Sequence, residues 1–249
     1  GRGKYLDDLG KGSYSVAFLR SPHAAAKILN IDATQALEVP GLIALYTYED
    51  LEGNLSEPLP LLIPHPNLTS PKTGYPLAKD RVKHVGEAIA MVVATDRYIA
   101  EDIVDLIQVE YEIQEAVVGI SKSKSGAIKV HEDLSSNVSA HLVQEVGDAR
   151  NAIAAAPHKL ELDLFVERSA CMPLEGKGVL AIWDSDAAEL RLWSSTQTST
   201  GVRAAVAAKL GLPLQKVECT APDVGGGFGV KIMHPWPEEI LIPWAAMRL

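Results

Sequence analysis

Cysteine is almost absent from the 249 residues: only Cys171 and Cys219 occur, far apart and in no CxxC spacing. The chain's own thiols therefore assemble neither a zinc site nor an iron–sulfur cluster, and both are expected to be reduced and buried. Long apolar runs are also missing; stretches such as 240–247 fall well short of the roughly 18 residues that suggest a membrane span. No run of Lys and Arg interleaved with aromatics is present, aromatics make up 6% of residues and the net charge is -9, which excludes a nucleic-acid footprint. There is no P-loop, because Gly229 is followed by Val230, Lys231 and Ile232 rather than by Lys and Ser or Thr, and no GxGxxG in a βαβ setting. The sequence starts at Gly1 without a charged segment leading into an apolar core, so no export signal is expected, and the cytoplasm is the expected compartment.

What is present is enough apolar residue, 47%, to bury a sizeable core in one or two domains. Residues 15–19 and 27–32 are expected as strands, and "DATQALEVPGLIALYT" as a short helix followed by a strand. "EAIAMVVA" is expected as a buried strand, Thr95 or Asp96 as a helix cap, and "IQVEYE" as a returning strand, together a βαβ unit. The proline-rich stretch 55–78 is expected as a surface excursion in which His65 is a solvated loop residue. "GISKSKSG" (119–126) has linker composition. Beyond it, Asp148 is expected to cap a helix, "KLELDLFVE" to form a half-buried strand, and "GVLAIWDSDAAELRLW" two strands joined by a turn. A helix with Val202, Val206 and Leu210 on its buried face then ends at Gly211, and "KVECT" returns as a strand.

That last strand runs into "APDVGGGFGVKIMHPWPEE". Gly225, Gly226, Gly227 and Gly229 can take positive φ and bring backbone N–H groups close to an anion or an oxo group. "SSTQ" (194–197) occupies a second strand-to-helix junction, and such junctions hold anionic ligands in α/β proteins. On the residues alone, an anion or cofactor site and a simple sharp turn both remain open.

The ordered blocks "GRGKYLDD", "AFLRSPHAAAKILNID", "PGLIALYT", "DRVKHVGEAIAMVVATDRYIAEDIVDLIQVEYE", "VHEDLSSNV", "ERSACMPLEGKGVLAIWD", "LWSSTQ" and "APDVGGGFGVK" resemble the molybdenum-binding large subunit of the xanthine dehydrogenase, aldehyde oxidase and carbon monoxide dehydrogenase family. The resemblance covers essentially the whole chain. It implies an α/β (α+β) fold: an N-terminal α/β hammerhead domain over 1–119, a linker over 120–140, and the beginning of a molybdopterin-cofactor-binding domain over 141–249. It implies oxidation of carbon monoxide, an aldehyde or an N-heterocycle with oxygen derived from water. The competing expectation is a non-catalytic assembly or anion-binding module lacking molybdenum.

By motif, Gln197 resembles the glutamine beside the molybdenum oxo ligand, and Gly226, Gly227, Phe228 and Gly229 resemble the loop against the metal centre. A neutral amide and backbone N–H groups can donate to oxo and dithiolene ligands without adding charge, and Phe228 is expected to exclude water. The resemblance implies no direct metal ligand and no catalytic residue in this chain, the general-base glutamate being expected beyond Leu249. It also implies molybdopterin, as the cytosine dinucleotide, with molybdenum, and 2Fe-2S clusters and FAD on partner subunits: an iron–sulfur small subunit and an FAD-binding medium subunit that join the remainder of the large subunit in a dimer of heterotrimers. The chain is accordingly expected to be incomplete as an enzyme.

Two departures stand out. Purine- and aldehyde-oxidising relatives commonly carry a glutamate after the motif's lysine, where this chain has Ile232, so the nearer resemblance is to the carbon monoxide dehydrogenase-like branch. The family's "MEPRG"-type segment reads "LEGKG", keeping Glu175 but replacing Pro and Arg with Gly176 and Lys177. Glu87, Glu238, Glu239, His84 and His234 are expected to be structural or solvated.

Overall fold

The computed structural model describes residues 2–61, 64–167, 169–232 and 235–249. Along the chain come α1 (Leu6–Leu9), β1 (Ser15–Arg20), β2 (Ala26–Asp32), β3 (Leu42–Tyr46), β4 (Arg81–Val82), β5 (Ala88–Ala94), α2 (Arg97–Leu106), β6 (Gln108–Ile113), α3 (Ile120–Ser125) and α4 (Ala149–Ala155). They are followed by β7 (Val179–Asp184), β8 (Glu189–Ser194), α5 (Ser199–Leu210), β9 (Val217–Thr220) and α6 (Pro237–Arg248). The strands form three small sheets, ordered β1-β5-β3, β4-β2-β6 and β7-β8-β9.

β5 is apolar throughout because it is covered on both faces. Ala90, Val92 and Ala94 pack toward α2 with Ala100 and Ile103, whereas Met91 and Val93 face the opposite way. α2 starts where expected, with the Asp96 carboxylate accepting from Tyr98 N at 2.9 Å and Ile99 N at 3.1 Å. The expected βαβ unit, however, does not form. Both edges of β5 are taken by β1 and β3, so β6 pairs antiparallel with β2 in a different sheet and α2 bridges two sheets.

A true βαβ crossover lies later: β8 pairs antiparallel with β7 and parallel with β9, and α5 connects the two parallel strands. α5 and α6 pack on this sheet. Its core is continuous with that of the first half, since Met91, Val93, Leu55 and Leu77 share a cluster with Leu190, Leu192, Val206 and Ile240. The edge-on contact of Tyr46 with Trp244, ring centroids 4.7 Å apart, belongs to the same seam. Burying each such large apolar side chain contributes about 2 kcal/mol, so the two halves stabilise each other.

Other expectations change. The stretch read as linker includes the short helix α3. "KLELDLFVE" forms no strand among the described residues; alternation provides an apolar face, but the stretch finds no partner strand, and Leu164 and Val166 stay 86% and 88% exposed. The two cysteines also part ways, Cys171 being exposed and Cys219 half-buried on β9. Burial pushes the Cys219 thiol up to about 12, with the Glu239 charge adding to the effect. Because only the thiolate is the nucleophile, an alkylating reagent at pH 8 is expected to label the native chain once, at Cys171, and twice after denaturation. Two labels on the native chain would contradict the burial of Cys219.

Candidate functional site

The parallel pairing of β8 with β9 brings their carboxyl ends side by side, which is where open α/β sheets place ligands. β8 ends in Ser194 and continues through Ser195, Thr196 and Gln197 into α5. β9 ends at Thr220 and continues into the glycine loop. The two segments suggested by the sequence are therefore brought together: Gly229 N donates to Gln197 Oε1 at 3.0 Å, and Gln197 N donates to the Lys231 carbonyl at 3.1 Å.

That contact fixes the polarity of Gln197. An N–H donor must face the amide oxygen, so the Nε2 hydrogens are turned to donate elsewhere, and among the described residues they meet no acceptor. Gly226 and Gly229 have φ of 104° and 88°, and Phe228 sits at 50°, a left-handed conformation unusual for an aromatic. Gly225 and Gly229 spend their N–H groups inside the protein, on Glu175 and Gln197. Among the described residues the N–H groups of Gly226, Gly227 and Phe228 find no acceptor. The loop thus offers three backbone donors and one amide donor, and a Cβ on Gly229 would enter open space. Gly227 lies against Gln197, so a Cβ there would meet Gln197 Cδ at 2.5 Å. Phe228 is 70% exposed in this chain.

Beneath the loop lies a charged network that the sequence reading did not find. Lys231 is 2% exposed, and its Nζ donates to Ser195 Oγ at 2.7 Å, to the Glu175 carbonyl at 2.9 Å and to Glu175 Oε2 at 3.3 Å. Glu175 Oε2 also accepts from Ser195 Oγ at 2.6 Å and from Gly225 N at 2.8 Å. Burial pushes the Glu175 carboxyl up, but the hydrogen bonds from Ser195, Gly225 and Lys231, with the Lys231 charge, outweigh it and hold it below the usual glutamate range. A depressed carboxylate stabilises the fold above the unfolded-state value, and that contribution is lost as pH falls through the depressed one.

A second buried pair closes the base. Glu239, 1% exposed, accepts from Ser194 Oγ at 2.7 Å and from Trp236 N at 2.9 Å, and lies 2.6 Å from Lys177 Nζ in an ion pair not aligned as a hydrogen bond. Glu238 pairs with Arg20. These roles are structural, as expected. So is that of Glu87, 3.5 Å from His84 in the turn that leads into β5. His65 accepts from Asn67 N within its loop, and His234 lies outside the described residues.

A cavity of about 960 Å³ lies elsewhere, between β1 and β7, and touches neither Gln197 nor the glycine loop. No group of three His, Cys, Asp or Glu among the described residues could hold a metal ion, so a metal at the loop would have to bring its own ligand. The donors present fit that case: an anionic, oxygen-bearing group with an organic ligand would meet the loop's N–H groups and Gln197 Nε2 without competing positive charge. No described helix is long and apolar enough to cross a membrane.

Residues 1–115 match the family model of the aldehyde oxidase and xanthine dehydrogenase a/b hammerhead domain, and residues 130–249 that of the molybdopterin cofactor-binding domain. The nicotine 6-hydroxylase large subunit of Paenarthrobacter nicotinovorans is 36% identical, over 100% of this chain and 30% of its own length. The carbon monoxide dehydrogenase large chain of Afipia carboxidovorans is 32% identical, over 93% of this chain and 30% of its own. The crystal structure of quinoline 2-oxidoreductase from Pseudomonas putida 86 superposes with a TM-score of 0.87 at 32% identity, covering 100% of this chain and 31% of that one. The chain spans about 30% of the length of these two curated relatives.

Proposed function

Since the chain belongs to the xanthine dehydrogenase, aldehyde oxidase and carbon monoxide dehydrogenase family of molybdenum-binding large subunits, we propose that it forms part of a molybdenum hydroxylase, an oxidoreductase acting on carbon monoxide, an aldehyde or an N-heterocycle with oxygen from water. The observation that carries this reading is the contact of Gln197 with the glycine loop at the carboxyl ends of β8 and β9, where the N–H groups of Gly226, Gly227 and Phe228 find no acceptor among the described residues. When bound, the molybdopterin cofactor supplies the two-electron redox chemistry. This chain's residues would hold it: the N–H groups of Gly226, Gly227 and Phe228 and the Gln197 amide would donate hydrogen bonds, while Lys231 and Glu175 hold both segments in place.

The names of the relatives support an enzyme over a non-catalytic module, and those acting on nicotine and quinoline favour an N-heterocycle. Ile232 in place of a carboxylate fits a substrate less polar than a purine. The reading extends to a hammerhead domain over 1–119, a linker over 120–140 and a cofactor domain from 141. It includes the cytosine dinucleotide form of the cofactor, an iron–sulfur small subunit and an FAD-binding medium subunit, a general-base glutamate outside these 249 residues, and a cytoplasmic location.

The test is Gln197→Ala in the large subunit assembled with its partners. Loss of one positioned donor is expected to lower turnover by about a hundredfold while leaving most of the molybdenum in place. Unchanged turnover would remove Gln197 from the site.

A further inference from the structure

We infer that Lys231 is a positioning residue, acting through Glu175 and Ser195 to hold the glycine loop and Gln197 in donor geometry. The inference rests on the functional reading above but stands on contacts of its own. Three separate segments meet at one ammonium group. Residue 175 contributes its carbonyl and carboxylate, residue 195 its hydroxyl, and residue 231 lies two positions beyond the loop. All three Nζ protons are used, as a fully buried lysine requires. Glu175 passes the constraint on, since its Oε2 accepts from Gly225 N, the first glycine of the loop, while Gly225 O accepts from Glu175 N at 3.3 Å. At the loop's far end the Lys231 carbonyl accepts from Gln197 N and from Thr196 Oγ1, each at 3.1 Å. The loop is thus pinned at its first glycine and at the lysine that follows it. The N–H groups of Gly226, Gly227 and Phe228, without an acceptor among the described residues, lie on the arch between.

A purely structural role and a positioning role predict different behaviour. If the lysine merely neutralises a buried carboxylate, then removing both charges restores what removing one destroys, because no uncompensated charge remains. If it positions the loop, removing both charges recovers stability but leaves the loop loose.

The experiment therefore compares Lys231→Met, Glu175→Gln and the double variant in the large subunit with its partners, using three readouts: melting temperature, amide hydrogen exchange in the 194–197 and 225–231 peptides, and molybdenum per polypeptide. Lys231→Met is expected to speed exchange in both peptides by about tenfold or more, with no change in β5, and to lower molybdenum content. The double variant is expected to regain melting temperature without regaining loop protection. Where Lys231→Met fails to fold, Glu175→Gln, which keeps side-chain shape, is expected to show the same local loosening. Wild-type exchange in the double variant would overturn the inference. Exchange is also read on cofactor-free protein, so a wild type lacking molybdenum would sink the functional reading and still decide this one.

Discussion

Gly227→Ala is expected to lower turnover of the assembled enzyme by about ten- to a hundredfold with little change in melting temperature, as a misplacement on the order of 1 Å at a positioned group does. The cause is steric and specific. Gly227 is not among the loop's positive-φ residues, so backbone strain is not the mechanism. Its new Cβ would fall 2.5 Å from Gln197 Cδ and 2.6 Å from both Cγ and Oε1. Gln197 is exposed, so it is free to swing aside at small cost to the fold, but in doing so it gives up the bond from Gly229 N that fixes its amide. The Gly227→Ala/Gln197→Ala pair should then be no worse than Gln197→Ala alone, because both act through one side chain. Wild-type turnover in Gly227→Ala, or fully additive losses in the pair, would show that the amide is not what the loop positions.

The largest stability loss should come from Glu239→Ala, about 3–5 kcal/mol, the range observed when one partner of a buried ion pair is removed. The variant strands Lys177, whose side chain is 9% exposed, and removes the carboxylate that Ser194 Oγ and Trp236 N donate to at the start of α6. A loss of that size is a large share of a typical domain's stability. Denaturant midpoints measure it directly, and Lys177→Met placed on top of Glu239→Ala should recover part of the loss by removing the stranded charge. A loss under about 1 kcal/mol would mean that Lys177 reaches water once freed.

Much of the second half could be read in the sequence. β7, β8, α5 and β9 sit where alternation, the Val202 and Val206 spacing and Gly211 place them, since each is a local pattern. The sheet partners of β5 and β6 could not be read, because periodicity reports burial and not which strand occupies an edge. "KLELDLFVE" shows the same limit from the other side: its alternation is real, but pairing depends on a partner that alternation does not specify. The glycine loop and Gln197 were visible as residue types at strand ends, yet which N–H groups stay free follows only from the fold. The Glu175–Lys231 and Glu239–Lys177 pairs were hidden for a general reason: Glu and Lys are overwhelmingly surface residues, and nothing in a local window marks the rare buried ones. The available signals were the resemblance of "LEGKG" to a family segment, which singled out Glu175 and Lys177, and the lysine of the glycine-loop motif, Lys231.

We propose that the ends of β8 and β9 hold a molybdenum cofactor. Metal and pterin analysis of the large subunit purified with its partners tests it most directly. The account predicts about one molybdenum and one pterin per polypeptide, as for a cofactor held at a single site; protein that assembles fully yet carries neither would contradict it.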